Sequence, residues 1–458
     1  MLPECDITAQ NKEVSHRIGF FVYKDIIGWG KGNNNTLTNR YMGHHNRKGL
    51  KFDWKYQEKW RNSAIAGEIM LKYEVYSMKE LRLHGELIVT GVGSLRYLEN
   101  IKCSRVIIVT GEGSTFKNGT IDIIKGLLEE KGCVYEVYSG IKKNPTTDEV
   151  LGGVAAMRSF VPDTIIAVGG GSAIDAAKAM VLFYEYPGLS FDTIVNESLP
   201  DSKKKLKLIA VPTTSGTGTE VTKVAVITYK DSDIKIGLKS NAFIPEVAIL
   251  DASLTLSMPK NVVAETGMDA MTHAVESYIN TNLDDYTECL ASGAVEGLFK
   301  YLTLSYEMGT IEYREKVHNY QCIAGSVLTN VGLGMAHGIS HAIGGRFNYG
   351  HGLLNAVALP YVLQYNSKDR IVRERLQYLA SRIGASSFIE AIKQLNKKLS
   401  IPNSFKEIGI TEEDFEKNFD ILLTNSLKGS TRANPVPISI AEMEIVLKHI
   451  FEGKDIAL

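Results

Sequence analysis

Between about residue 85 and residue 258 the chain repeats one unit: a short, nearly apolar run, a turn and an amphipathic stretch. The runs are ELIVTG (86–91), RVIIVTG (105–111), CVYEVYSG (133–140), TIIAVGG (164–170), KLIAVP (207–212) and VAILDASL (247–254). Helical patterns such as IDIIKGLLEEKG and DEVLGGVAAMRSF lie between them. Strands apolar on both faces must be covered on both faces, which calls for a mainly parallel sheet between helices. After Pro259 the strand signals nearly stop. VVAETGMDAMTHAVESYI, ECLASGAVEGLFKYLTLSYEMG and EKVHNYQCIAGSVLTNVG read as helices, and Thr411 before EEDF reads as an N-cap. The expected architecture is an α/β domain over 76–258 followed by an all-α domain over 259–458.

Residues 1–75 differ from the rest and form an N-terminal extension of unassigned role. They hold all three tryptophans and the polar tract GKGNNNTLTNRYMGHHNRKG. His44 and His45 are adjacent, so their side chains point apart and an exposed loop is the better reading. A helix is expected over KYQEKWRNSAIAGEIMLKYEV. A net charge of −1 with no long run of one sign argues against nucleic acid or an anionic membrane as partner. No apolar run is long enough to span a bilayer. The five cysteines are scattered and no CxxC occurs, the usage of a reduced cytoplasmic protein. No basic start followed by an apolar core marks a signal peptide. We expect a homodimer or larger homo-oligomer.

Two stretches carry the chemistry of the C-terminal half. GLGMAHGISHAIGGRFNYGHG (332–352) contains His337, His341 and His351, and TGMDAMTHAVESY (266–278) contains Asp269 and His273. His337 and His341 are four apart, as are Asp269 and His273, so each pair shares a helix face. A Gly-rich bend lets His351 return to the same point. One carboxylate and two or three imidazoles from two helices can hold a divalent metal.

Two further stretches suit a nucleotide. Gly169, Gly170 and Gly171 join a strand to a helix, where free N–H groups and the positive end of the dipole favour a pyrophosphate. Asp175 and Lys178 follow on that helix. PTTSGTGTE (212–220) adds Thr213, Thr214, Ser215 and Thr217, whose hydroxyls can donate to phosphate or to the nicotinamide amide. Two such loops at the carboxyl ends of neighbouring strands form the ligand crevice of an open parallel sheet.

The motifs GGGSAIDAAKA, AVPTTSGTGTEVT, TGMDAMTHAVESY and GMAHGISHAIGGRFNYGHGLLNA together resemble those of the iron-containing (group III) alcohol dehydrogenases, from about His84 to the C-terminus. The resemblance implies an α/β dinucleotide-binding domain and a helical catalytic domain, with metal and substrate between them. The family's metal ligands fall on Asp269, His273, His337 and His351, and its additional histidine near nicotinamide and substrate on His341. The phosphate-binding GGGS matches Gly170, Gly171 and Ser172. Asp175, Thr213, Thr214 and Thr217 are cofactor-side candidates, and Lys235 rests only on its place after the loop. The resemblance implies Fe2+; the ligand set alone also suits Zn2+. The activity implied is interconversion of a short-chain primary alcohol and aldehyde with NAD(P).

The family pattern breaks in two places. Where many members carry Asp after the second strand, this chain has Gly111, then Glu112, Gly113 and Ser114. A glycine does not repel a 2′-phosphate, and Ser114 and Lys117 can bind one, although Glu112 can restore the acid; the reading favours NADP. The family's C-terminal NPR reads Asn434, Pro435, Val436. Arg346, between His341 and His351, and Arg432 in KGSTRANP are candidates to recognise an anionic tail on the substrate. The competing readings are a dehydroquinate-synthase-like or glycerol-dehydrogenase-like zinc enzyme on the same fold, which TTSGTGTEVT argues against, and a non-catalytic relative, which retention of all four ligand types argues against.

Overall fold

The computed structural model describes residues 79–456, apart from 193, 195–197 and 231–233. Expectations for residues 1–75 lie outside the described residues. From Glu80 onward the chain forms one compact unit.

The first part of this unit contains β1 (Leu87–Thr90), β2 (Arg105–Gly111), α1 (Ser114–Lys117), α2 (Thr120–Glu130), β3 (Val134–Ile141), α3 (Thr147–Phe160), β4 (Thr164–Gly169), α4 (Gly171–Glu185), β5 (Lys207–Pro212), β6 (Val224–Tyr229), β7 (Ile234–Lys239) and β8 (Val247–Leu250). Six strands make a wholly parallel sheet in the order β1-β8-β5-β4-β2-β3. β4 is buried along its whole length between the two layers. One face packs on α3 and α4 through Ile107, Val109, Ile165, Met157 and Met180, and the other on α2 through Val106, Ile108, Ile124 and Leu128. From β2 the chain moves outward to β3, then crosses back to β4 on the other side of β2. That reversal opens a crevice beyond the carboxyl ends of β2 and β4, at Gly111 and Gly169. β6 and β7 form a separate antiparallel hairpin that the sequence reading did not assign.

The second part is helical: α5 (Lys260–Ile279), α6 (Asp285–Met308), α7 (Ile311–Val331), α8 (Met335–Phe347), α9 (His351–Asn366), α10 (Arg370–Arg382), α11 (Phe388–Lys398), α12 (Glu412–Ser426) and α13 (Ile440–Glu452). Among the described residues no single helix is long and apolar enough to cross a membrane. α5 is buried almost all round because α6, α7 and α9 pack against it. The side chain of Thr411 accepts from Asp414 N at the start of α12, the expected cap. α7 and α8 meet at a 101° bend through Gly332–Gly334. Asn348, in the left-handed conformation, ends α8 and turns the chain back so that α9 begins at His351.

Candidate active site

α5 presents Asp269, His273 and Glu276 at spacings of four and three, one buried stripe. α8 presents His337 and His341 to the same space, and His351 opens α9 beside them. Gly352 lets α9 approach α5, and Gly338 lets the turn that holds Thr431 approach α8. A Cβ at Gly352 would lie 2.2 Å from the Glu265 carbonyl oxygen on α5, and one at Gly338 would lie 1.9 Å from Thr431 Oγ1. The glycine after each of His337 and His351 is therefore a packing requirement of the centre.

The Nε2 atoms of His273, His337 and His351 lie 3.9, 3.9 and 3.8 Å from Asp269 Oδ1. These separations are too long for hydrogen bonds. An ion with ligands at about 2.0–2.2 Å has ligand–ligand edges of roughly 3.3–3.6 Å in a tetrahedron, so each of these three contacts to Asp269 needs to shorten by only a few tenths of an ångström, and Asp269, His273 and His337 already group closely enough to share one ion. The Asn355 amide Nδ2 stands close to Asp269 Oδ1 (2.8 Å), His337 Nε2 (3.1 Å) and His351 Nε2 (3.1 Å). Acceptors converging on one point accommodate a donor or a cation and nothing else, so these residues fit a divalent metal. Burial alone would raise the Asp269 carboxyl, but His273, His351, His337 and the Asn355 amide outweigh it and hold the group below its ordinary value. Burial pushes His337 well down, and His341 and His351 down to about 3, with mutual repulsion adding to each and Asp269 opposing it.

His341 stacks on His351 with ring centroids 4.9 Å apart and stands on the more open side of the cluster. Lys235 on β7 faces the same space. Burial and the neighbouring Lys143 lower its amine, and its charge acts on both His341 and His351. Sequence reasoning gave Lys235 too little weight and missed Glu276, whose Oε2 stands 2.6 Å from His337 Nδ1. The signal for Glu276 was its place seven residues after Asp269 on one helix.

In the crevice, Gly169 holds φ +147 and Gly170 N-caps α4. Thr214 packs on Gly170 and Thr217 on Gly171, where an added Cβ would lie 3.3 and 2.8 Å away. Thr213 N donates to Gly169 O, joining the two loops. Ser172 Oγ accepts from Asn144 N. Asp175 does not line a ligand surface with a free carboxylate. Its oxygens accept from Thr219 Oγ1 and Val226 N, and it faces Lys178, so it locks the threonine loop to the hairpin. Lys178 is fully buried and donates to Thr219 Oγ1, Thr222 Oγ1, Thr222 O and Val224 O, with its amine pushed down by burial to about 8. His318 on α7 is also buried, holds Ser215 Oγ at 2.9 Å through Nδ1, and is lowered by burial to about 4. At the end of β2, Gly111 is half-buried while Glu112, Ser114 and Lys117 are exposed.

The two arginines do not form an anion site at the histidines. Arg346 is exposed and its Nε donates to Asn418 Oδ1 on α12 at 2.6 Å. It stands nine residues after His337, about half a helical turn away from the metal face at roughly 100° per residue. Arg432 is exposed in the turn Gly429–Ala433.

Residues 86–252 match the model of a family described as iron-containing alcohol dehydrogenase, and residues 263–451 match its C-terminal model. The chain is 39% identical over 377 residues to an NADPH-dependent butanol dehydrogenase of Clostridium saccharobutylicum, covering 80% of this chain and 96% of that one. It is 35% identical over 375 residues to an alcohol dehydrogenase of Thermococcus barophilus, covering 80% and 97%. Among solved structures, an iron-containing alcohol dehydrogenase from Thermococcus thioreducens superposes with a TM-score of 0.76 at 31% identity, over 82% of this chain and all of that one.

Proposed function

This chain belongs to the iron-containing alcohol dehydrogenase family and is a metal-dependent oxidoreductase acting on alcohols, and from that premise we propose that it interconverts short-chain primary alcohols and aldehydes with NADP(H), using Fe2+ held by Asp269, His273, His337 and His351. The observation that carries this reading is the placing of three imidazole Nε2 atoms 3.8–3.9 Å from one oxygen of Asp269, with Asp269, His273 and His337 grouped closely enough to share one ion. A divalent ion held there would supply Lewis acidity to a carbonyl or alcohol oxygen, and a nicotinamide cofactor would supply the hydride chemistry.

The chain's own residues do the remaining work. Asp269 would offset part of the ion's charge. His341, neutral and on the open side, can hold or pass on the alcohol proton at a ring nitrogen. The N–H groups at the start of α4 and the close-packed Gly170 and Gly171 suit a pyrophosphate. The absence of a carboxylate at Gly111 and the exposure of Ser114 and Lys117 support a 2′-phosphate, as does the name of the Clostridium relative. Arg346 is committed to Asn418, which supports a neutral substrate over one with an anionic tail. The proposal includes a homo-oligomer in the cytoplasm.

The test begins with chelated protein reloaded with Fe2+ or Zn2+. Oxidation of NADPH and of NADH is then followed with butanal. The expected result is loss of turnover on chelation, recovery with Fe2+, and at least a tenfold higher kcat/KM for NADPH. Turnover that survives complete chelation overturns the metal assignment, recovery with Zn2+ alone overturns iron, and an NADH preference overturns the nucleotide assignment.

A further inference from the structure

We infer that Glu276 is the positioning residue of the metal centre: its carboxylate fixes the tautomer and ring orientation of His337 while tying α8 to α5. This inference rests on the metal reading above.

Glu276 is 1% exposed. One oxygen, Oε2, stands 2.6 Å from His337 Nδ1 and accepts from Gly334 N at 2.9 Å; the other, Oε1, accepts from Ala336 N at 2.6 Å. The three donors lie at the start of α8, where backbone N–H groups lack intrahelical partners and the dipole favours an anion. Residue 334 must be small for this approach, since a Cβ there would already lie 3.0 Å from Glu276 Oε1. A neutral imidazole carries one N–H. With that hydrogen held at Nδ1 by the carboxylate, Nε2 keeps its lone pair and faces Asp269, His273 and His351. Removal of the carboxylate frees the ring to turn and to take the other tautomer, in which Nε2 cannot ligate.

The fold supplies a control. Met335 N, in the same first turn, donates to Asn434 Oδ1. Asn434 therefore caps α8 without a hydrogen bond to His337. A purely structural role for Glu276 predicts the same metal phenotype from the loss of either cap.

Metal-free full-length protein, wild type, Glu276→Gln and Asn434→Ala, is titrated with Co2+ against a chelating dye, and the visible absorption of the bound Co2+ is recorded. The wild type is expected to take up one equivalent. Glu276→Gln is expected to bind 10- to 100-fold more weakly, with an altered Co2+ spectrum. Asn434→Ala is expected to stay within about threefold of wild type while its Tm falls. Should Glu276→Gln fail to fold, Glu276→Asp, whose carboxylate stops one methylene short of His337, carries the same expectation. A Glu276 variant within threefold of wild type overturns the inference, and so does an equal loss in Asn434→Ala. His273→Ala separates the two readings: if it binds Co2+ as wild type does, the metal site itself is wrong and this inference falls with it.

Discussion

The metal centre and the nucleotide crevice lie in one compact unit, and they are built on opposite principles. At the metal centre the side chains carry the chemistry. All six relevant groups, Asp269, His273, Glu276, His337, His341 and His351, come from three helices, and the glycine at 352 brings two of them, α5 and α9, close. In the crevice the backbone carries the chemistry. Side chains that look like ligands, Asp175 and Lys178 above all, bond from α4 to Thr219, Thr222 and β6, and the glycines and N–H groups are left to meet a ligand. Such a loop is selected for its shape, and such a cluster for its donor atoms. The two regions should therefore fail in different ways.

The largest effect should come from the ligands. His273→Ala or His351→Ala should lower kcat by at least about a thousandfold and abolish stoichiometric metal. NADPH affinity should stay within about threefold, because the crevice belongs to β2, β4, β5 and α4. Metal analysis alongside nucleotide titration by fluorescence checks both. Normal metal content in either variant would sink the ligand assignment, and loss of nucleotide binding would erase the separation between the two regions.

The reverse experiment is Gly218→Ala. Gly218 holds φ +61, and a Cβ there would lie 2.5 Å from Gly325 Cα on α7. Left-handed strain and overpacking together should cost about 2–4 kcal/mol, with a Tm lower by several degrees. KM for the nucleotide should rise about tenfold while metal content is unchanged. Unaltered Tm and KM would show that the threonine loop tolerates what its packing forbids.

This contrast also explains what could be read from the sequence. β2, β4, β5 and β8 were legible because they are buried on both faces and therefore continuously apolar, and the exposed edge strands β1 and β3 because they keep a short apolar run before a glycine turn. The β6–β7 hairpin was not, although VAVITY and IKIGLK surround a polar turn; its strands mix polar with apolar residues, and it lies outside the main sheet. The four candidate metal ligands stood out because few residue types bind metals and helix spacing groups them. Glu276 obeyed the same spacing but looks like any solvent-facing glutamate until His337 is placed beside it. Asp175 was misread because proximity to a glycine turn says nothing about which way a carboxylate faces.

A smaller effect tests the nucleotide end. Gly111→Asp places a carboxylate at the carboxyl end of β2, next to where the resemblance sets the 2′ position of the ribose. It should reduce the NADPH/NADH ratio of kcat/KM about tenfold, equivalent to about 1.4 kcal/mol. A Cβ there meets Ile141 O at 3.3 Å, so some loss of stability should accompany the change. An unchanged ratio would remove Gly111 from the argument and leave Glu112, Ser114 and Lys117 to be tested in turn.

The smallest expected effect is at Arg346, and its smallness is the point. In sequence it lies between two histidines of the active site, which suggested a clamp for an anionic substrate. In the folded chain it is on the far side of α8 from His337, exposed, with Nε bonded to Asn418. A guanidinium selects a carboxylate or sulfonate strongly only when both are held out of water. An exposed one, screened and already hydrogen-bonded, contributes on the order of a few tenths of a kcal/mol. Arg346→Ala should therefore change kcat/KM less than about twofold, equally for butanal and for succinic semialdehyde, and lower Tm slightly through the lost Asn418 bond. A loss of tenfold or more confined to the anionic aldehyde would return Arg346 to the substrate site, and would show that the helix face opposite the metal takes part in recognition.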